Sequence, residues 1–332
     1  MNQKQAIAES DLEAIFDILN VDYSFLKKVR IKTLKTTSNS FNAILKLEDK
    51  RYFIKKEGKS QEHQNLRFIQ SPTSNNLKLT NMVGYDERQN LLVFEYVEGE
   101  NFLYALLKYC VFPLNILLRK KLLTQLDLIA RWLAEFHANN IVRHSTDISE
   151  NTDKTLSFLR NVRDFLDSSQ KKTIKSHLES YSNMTRVNHI VRTNKDFSAR
   201  NIIISKENIV TVVDWEKIVE TSPYHNLAYF LTNIESRARF PFYSIKFQQF
   251  LANKFVEFYQ KYSDSVFSYE KYRFWKFLYH IEYIHDYENK VGVFEPWTND
   301  RYYMTAFIRS YIVPWLFNHM EKTGRLENGT VL

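Results

Sequence analysis

The chain changes its hydrophobic rhythm near residue 99. Before that point apolar residues come in short β-branched or alternating runs, at 29–34, 41–47, 51–55, 77–85 and 91–97. Polar clusters such as Glu48-Asp49-Lys50 and Asp86-Glu87-Arg88-Gln89-Asn90 divide them. Short runs punctuated in this way predict strands joined by turns. A short amphipathic helix is expected ahead of them over 9–20, with Ser10 as N-cap before Leu12, Ile15, Phe16 and Leu19. A second, capped by Ser60, runs to about Gln70.

Beyond Gly99 the spacing becomes helical. Leu118, Leu122, Leu126, Ile129, Leu133 and Phe136 line one face of a helix over 114–140. Two polar-faced helices and a turn follow over 153–183. The aromatic-rich final third predicts helices near 225–236, 244–262, 268–289 and 300–320, then a frayed tail over 324–332. One stretch interrupts the helices: the β-branched runs 202–204 and 210–213 flank the turn-like 205–208, which reads as a hairpin.

Composition narrows the class. A chain of 332 residues with 44% hydrophobic content can bury a sizeable core. Its 6 Gly and 6 Pro leave little room for long flexible linkers. No apolar run is long enough to predict a transmembrane helix, and the first residues lack the layout of a signal peptide. The single cysteine, Cys110, cannot form an internal disulfide, which suits a cytoplasmic protein. A formal net charge of +8 favours an anionic partner, such as a nucleotide, an acidic glycan or a membrane surface. The positive residues are spread along the chain with no nucleic-acid motif, so no nucleic-acid partner is expected, whereas peripheral membrane contact stays open.

The candidate chemistry sits around the hairpin. Asp196, Asn201 and Asp214 place two carboxylates and an amide before and after its two strands. A hairpin brings Asp214 back beside Asn201. Mg²⁺ takes oxygen ligands from a few protein groups and from the phosphates of its substrate, and Asn201 and Asp214 supply such oxygens. Asp196, five residues before Asn201, can accept the proton of an attacking hydroxyl. The pattern therefore points to metal-assisted phosphoryl transfer, although each residue taken alone is also an ordinary turn or strand-end residue.

At these residues the sequence resembles the aminoglycoside phosphotransferase and choline kinase group, small-molecule kinases with a protein-kinase-like fold. Their H-G-D-x-x-x-x-N pattern reads here Asn194-Lys195-Asp196 with Asn201, and their I-D-W-E reads Val213-Asp214-Trp215-Glu216. Asn194 and Lys195 replace the family's His and Gly, which puts loop geometry in question more than chemistry. The family's P-x-x-D-L-A reads Pro223-Tyr224-His225-Asn226-Leu227-Ala228, with Asn226 for the structural Asp. An L-x-x-F-H ending at His137 also resembles the group, where such a His is expected to be a buried structural residue.

The resemblance implies an α+β fold of two lobes: a small antiparallel sheet lobe over 1–98 and a mainly helical lobe over 99–332. It implies ATP and Mg²⁺ as cofactors, with Lys55 holding the phosphates and Asn201 and Asp214 holding the metal. Lys56 competes with Lys55, since strand alternation points only one of them inward. Glu62 matches the helix glutamate that pairs with the lysine, and Glu57 is an alternative. Ser38, Asn39 and Ser40 stand where a kinase covers the phosphates, and the backbone of Glu95 to Val97 stands where adenine is met. Glu282, Asp286 and Glu288, with Tyr279, Tyr283 and Tyr287, fall in the region from which the group draws acceptor contacts, although a solvated helix face explains them equally well. The expected reaction is transfer of the ATP γ-phosphate to a hydroxyl of a small molecule or glycan: a sugar, a lipid-linked sugar or an amino alcohol. The alternative is a catalytically silent pseudokinase serving as a scaffold. No A-P-E segment follows Asp214, so a peptide-docking platform is unsupported.

Overall fold

The computed structural model describes residues 7–22, 29–36, 40–57, 61–111, 115–147, 149–180, 186–236, 245–263, 267–290 and 305–327. The elements fall into two compact units, one made of 1–102 with 200–218 and the other of 103–199 with 219–332. The architecture is an antiparallel sheet region with accompanying helices, and a mainly helical region.

The first unit opens with α1 (Glu9–Leu19) and the strands β1 (Val29–Thr36), β2 (Phe41–Leu47) and β3 (Lys50–Lys56). α2 (Glu62–Arg67) follows, then β4 (Leu77–Leu79), β5 (Met82–Asp86), β6 (Leu91–Glu95) and β7 (Glu100–Asn101). β1, β2, β3, β6 and β5 form one sheet in that order. Its pairs are antiparallel, with Lys55 opposite Asn42 on one side and Leu92 on the other. Ile15 of α1 is buried with Phe41, Ala43, Leu45, Ile54, Leu91 and Val93. α1 approaches β5 so closely that a Cβ at Gly84 would lie 2.6 Å from the Ile18 side chain, which requires glycine there.

Several expectations change here. Ala8 occupies the N-cap of α1 without a side-chain cap, and Ser10 lies inside the first turn. α2 is shorter than expected and begins after Gln61, while Ser60 lies outside the described residues. The run 77–85 is two strands: β4 leaves the first sheet and pairs elsewhere.

The second unit carries α3 (Phe102–Val111), α4 (Ile116–Asn139), β8 (Ile141–Asp147), α5 (Ser149–Asn161), α6 (Ser168–Ser180) and β9 (Arg186–Asn194). The chain then enters the short strands β10 (Ile202–Ile204) and β11 (Val210–Val212), which belong to the first unit. They form a sheet ordered β4-β11-β10-β7, in which β11 runs parallel to β4. Gly99 permits this closure: a Cβ there would sit 2.5 Å from the Ile204 carbonyl oxygen. The chain continues through β12 (Ile218–Thr221), α7 (Pro223–Glu235), α8 (Ile245–Tyr262) and α9 (Tyr269–Lys290). It ends in a π-helical turn, Ile308–Ile312, leading into α10 (Val313–Glu327).

Asn115 accepts from the Leu118 N–H and caps α4. Leu126, Ile129, Trp132, Leu133 and Phe136 of α4 are fully buried. The hairpin of β8 and β9 was not anticipated, because 141–147 carries few apolar residues. Helix also persists through 324–327, where fraying was expected, while 328–332 lie outside the described residues. Among the described residues no helix is long and apolar enough to cross a membrane.

Candidate active site

In the first unit the site grows out of β3. Tyr-Phe-Ile-Lys-Lys ends that strand, and alternation gives consecutive lysines different surroundings. Lys55 is 7% exposed. Its ammonium lies 3.1 Å from Glu62 Oε2, 3.0 Å from Glu57 Oε1 and 3.2 Å from Asp214 Oδ1. Lys56 instead pairs with Asp11 of α1 at 2.6 Å. Both glutamates weighed for Lys55 therefore reach it, and Glu62 is the deeper, with its side chain 2% exposed against 26% for Glu57.

Glu62 does a second job. Its Oε1 accepts the Trp215 N–H at 2.7 Å, so one carboxylate ties β3 to the residue after Asp214. Asn65, one turn further along α2, donates to the carbonyls of Trp215 and Glu216, each at 2.9 Å. Trp215 is fully buried and its indole N–H donates to the Val212 carbonyl. These bonds hold Asp214 with φ near +64°, a left-handed conformation that Asp tolerates better than most residues. The Val213 N–H donates to the Asn201 carbonyl at 2.9 Å, which sets Asn201 and Asp214 at the same end of the β10–β11 hairpin.

Burial alone would lower the Lys55 pKa. The charges of Glu62 and Asp214, with Glu57, outweigh it and hold the ammonium above its ordinary value. Burial pushes the Glu62 carboxyl up, against the pull of Lys55 and the Trp215 N–H. The result is a lysine kept charged beside a partly exposed aspartate.

The other expected nucleotide contacts are local to β6 and the first hairpin. The Glu95 N–H bonds to the Asn81 carbonyl and the Tyr96 N–H to the Arg51 carbonyl, while Val97 lies just past the strand. Ser40 is half-buried at the entrance to β2. Ser38 and Asn39 lie outside the described residues.

In the second unit the loop after β9 carries Asp196. Phe197 anchors it: its ring is buried, stacks on Trp132 and meets Phe230 at a tilt. The Asn194 side chain accepts the Asp196 N–H at 2.8 Å, an Asx-type turn that fits a loop with Asn in the place of His. The Ser198 N–H donates to the Asp196 carbonyl at 2.8 Å. Asn226 Nδ2 donates to the Asn194 carbonyl at 3.0 Å, and its Oδ1 accepts from the Thr193 hydroxyl. His137, buried as expected, lies between Asn226 Oδ1 at 3.3 Å and the Tyr259 hydroxyl at 2.9 Å.

The Tyr229 hydroxyl donates to Asp196 Oδ1, a contact not anticipated from the sequence. Its signal was present: Tyr229 follows Asn226 by three positions on α7 and so shares its face. Tyr229 meets Tyr279 edge-on, and Tyr279 meets His225 and Tyr283 in the same way. Of the acidic cluster on α9, Glu282 is near the loop, with His225 at 3.5 Å and Lys195 at 4.0 Å. Burial would raise its carboxyl, but the hydrogen bond and charge of His225, with Lys154 and Lys195, bring it down to about 2. Glu288 instead accepts the N–H groups of Arg163 and Asp164 and fastens the end of α5, and Asp286 is half-exposed beside His285.

No protein-family model matches the sequence, and no curated protein matches it. Solved structures do. Choline kinase LicA from Streptococcus pneumoniae matches 93% of this chain and 100% of its own at TM-score 0.52 and 17% identity. A Ralstonia eutropha protein assigned to the aminoglycoside phosphotransferases matches 96% and 99% at TM-score 0.68 and 11% identity. This chain has their fold. The ethanolamine kinase of Plasmodium vivax shares it too, matching 95% of this chain and 93% of its own at TM-score 0.58 and 10% identity. The kinase-like fold implied by the resemblance is therefore the one observed.

Proposed function

We propose that the protein is a Mg²⁺-dependent phosphotransferase that moves the γ-phosphoryl group of ATP to a hydroxyl of a small molecule or glycan. The observation that carries this reading is the buried Lys55 ammonium, held at once by Glu62 and Asp214. A cation kept charged beside a strand-end carboxylate suits polyphosphate. Phosphoryl transfer needs placement and charge neutralisation more than covalent help from the protein.

Lys55 holds the α- and β-phosphates, positioned by Glu62. Ser40, with Ser38 and Asn39, covers the phosphates. The base lies against Glu95 to Val97, where the Glu95 and Tyr96 N–H groups are committed to the sheet and Val97 offers its backbone. Asn201 and Asp214 present an amide and a carboxylate at one hairpin end, hard oxygen donors of the kind Mg²⁺ takes alongside substrate phosphates. When bound, the metal neutralises charge on those phosphates. Asp196 accepts the proton as the acceptor oxygen bonds to the γ-phosphorus and the bond to the β-phosphate oxygen breaks, releasing ADP.

The acceptor is a sugar, a lipid-linked sugar or an amino alcohol. Choline kinase and ethanolamine kinase among the fold neighbours favour a small acceptor, and the net charge of +8 disfavours polycationic aminoglycosides. The intact contacts of Lys55, Glu62 and Asp214 speak against a silent scaffold. The test is transfer from γ-labelled ATP to choline, ethanolamine, spectinomycin and neutral sugars, with and without Mg²⁺. Labelled product is expected only with Mg²⁺, and Asp196→Asn should lower its rate by roughly 10²–10⁴-fold. Nucleotide that fails to bind with Mg²⁺, or transfer undiminished in Asp196→Asn, would overturn the reading.

A further inference from the structure

The face built by α4 and α8 carries charge and apolar surface that phosphoryl transfer does not use. Ile116 and Leu117, at the start of α4, are 80% and 78% exposed, more than any other large apolar side chain among the described residues. Arg119, Lys120 and Lys121 follow at once, all exposed. A groove of about 530 Å³ runs beside them, lined by Ile116, Arg119, Lys120, Leu123, Phe258 and Lys261, with Thr124 and Asp127. Asp127 is answered within the groove by Lys261 at 3.9 Å and by the Tyr262 hydroxyl at 3.0 Å. The Arg119 guanidinium lies over the Phe250 ring at 5.2 Å, and Phe250 stacks on Phe247, which stacks on Tyr109 of α3. The surface is thus cationic at its rim, with the half-buried Phe250 and Phe247 continuing it down to the buried Tyr109.

Its composition works against the isolated protein. α4 has no acidic residue in its first turn, and three consecutive cations follow near the positive end of its dipole, where cations are unfavourable. Two neighbouring aliphatic side chains meanwhile stand in water. Both conflicts are relieved by one kind of environment, which offers negative charge at a surface and an apolar medium just beneath it. An acidic protein supplies the charge but needs a matching apolar pocket for Ile116 and Leu117; a bilayer supplies both without a specific fit.

We infer that the start of α4, with Ile116, Leu117, Arg119, Lys120 and Lys121, is a docking surface for an anionic phospholipid bilayer. The inference is independent of the catalytic reading. Ile116 and Leu117 enter the headgroup and acyl boundary while the cations, joined by Lys261, meet lipid phosphates. Each such cation strengthens partition about fivefold at low salt, and the attraction weakens as salt rises.

The full chain would be floated with vesicles of phosphatidylcholine alone and of phosphatidylcholine mixed with phosphatidylglycerol. Binding is expected to the mixed vesicles only, and to fall with added salt. Arg119→Glu/Lys120→Glu should reduce it by more than about tenfold. Ile116→Ser/Leu117→Ser should reduce it by at least about tenfold while leaving its salt dependence in place. All four positions are exposed, so both variants should melt as the parent does, which separates lost docking from lost folding. No binding to mixed vesicles, or binding unchanged in both variants, would overturn the inference. So would a variant-sensitive retention on immobilised polyglutamate without vesicle binding, which would mark a soluble acidic partner instead.

Discussion

The side-chain amide of Asn226 donates to the backbone carbonyl of Asn194 at 3.0 Å. That carbonyl can only accept, so the bond fixes which end of the amide faces it. Oδ1 is therefore left to the Thr193 hydroxyl and to His137 Nε2, and His137 carries its proton on Nε2 while Nδ1 accepts from Tyr259. An uncharged residue thus ties the loop before Asp196 to α7. Asn226→Asp keeps the size but loses the only donor that the Asn194 carbonyl meets from this side chain, and places a carboxylate where the residue is 1% exposed. We expect both Asn226→Asp and Asn226→Ala to destabilise the protein by about 2–3 kcal/mol at neutral pH, read as a lower midpoint in urea. A variant Asp as stable as the parent would show that the amide donor does not hold the loop.

Lys55 and Glu62 are both buried, and each is the other's charge partner. Removing one member of such a pair strands the other in a low-dielectric site, which costs about 3–5 kcal/mol. Lys55→Met should lower stability in that range, and it should lack the upward shift in melting temperature expected of the parent with Mg²⁺ and ATP. Glu62→Gln keeps the acceptor for the Trp215 N–H, so it should lose less stability while still weakening nucleotide binding. Equal ATP-dependent shifts in parent and Lys55→Met would remove Lys55 from the phosphate site.

Much of this arrangement was legible in the sequence, and the reason is local. The hairpin strands 202–204 and 210–212 are β-branched runs broken by a polar turn, so their pairing follows from residue type. Lys55 could be placed on its strand, but alternation alone could not say which lysine turned inward; Asp11 on α1, far earlier in the chain, captures Lys56. The split of 77–85 was hidden because β4 pairs with β11, more than a hundred residues later. The double use of Glu62 is a long-range bond that no local period encodes, whereas the Tyr229 contact to Asp196 was signalled only by the three-residue spacing from Asn226 on α7.

Tyr229 gives the proposed base a hydrogen bond that orients the carboxylate. If Asp196 takes the acceptor proton, Tyr229→Phe should lower kcat by about tenfold, the scale of one lost charge-assisted hydrogen bond, and leave KM for ATP unchanged. A purely structural role would instead lower apparent kcat through loss of folded protein and leave KM in place, so only melting temperature separates the two and must be measured alongside. A fall in kcat with unaltered melting and unaltered KM is the expected split. An unchanged kcat would mean that Asp196 is oriented by other contacts.

Acid should weaken this protein well before its carboxylates are titrated. Burial holds His137 down to about 3, even though its bond with Asn226 pulls the other way, and His177 and His319 are lowered to about 4 and 3 by burial as well. In the unfolded chain these rings titrate near 6.5. Between those values the unfolded state binds more protons than the folded one, so stability rises with pH across the window and falls as pH drops from about 6.5. For His137 alone the loss at pH 5 amounts to about 2 kcal/mol, since each pH unit below 6.5 is worth about 1.4 kcal/mol. Glu282 does not blur this signal: its lowered carboxyl contributes stability that is lost only as pH falls from its ordinary range, near 4.5, through about 2. Urea midpoints measured from pH 7 to pH 5 should therefore decline steeply in the parent. His137→Gln, which keeps a polar side chain but cannot take up a proton, should decline less, by the share of one imidazole. Parallel slopes in the two proteins would show that His137 is not held neutral by its burial.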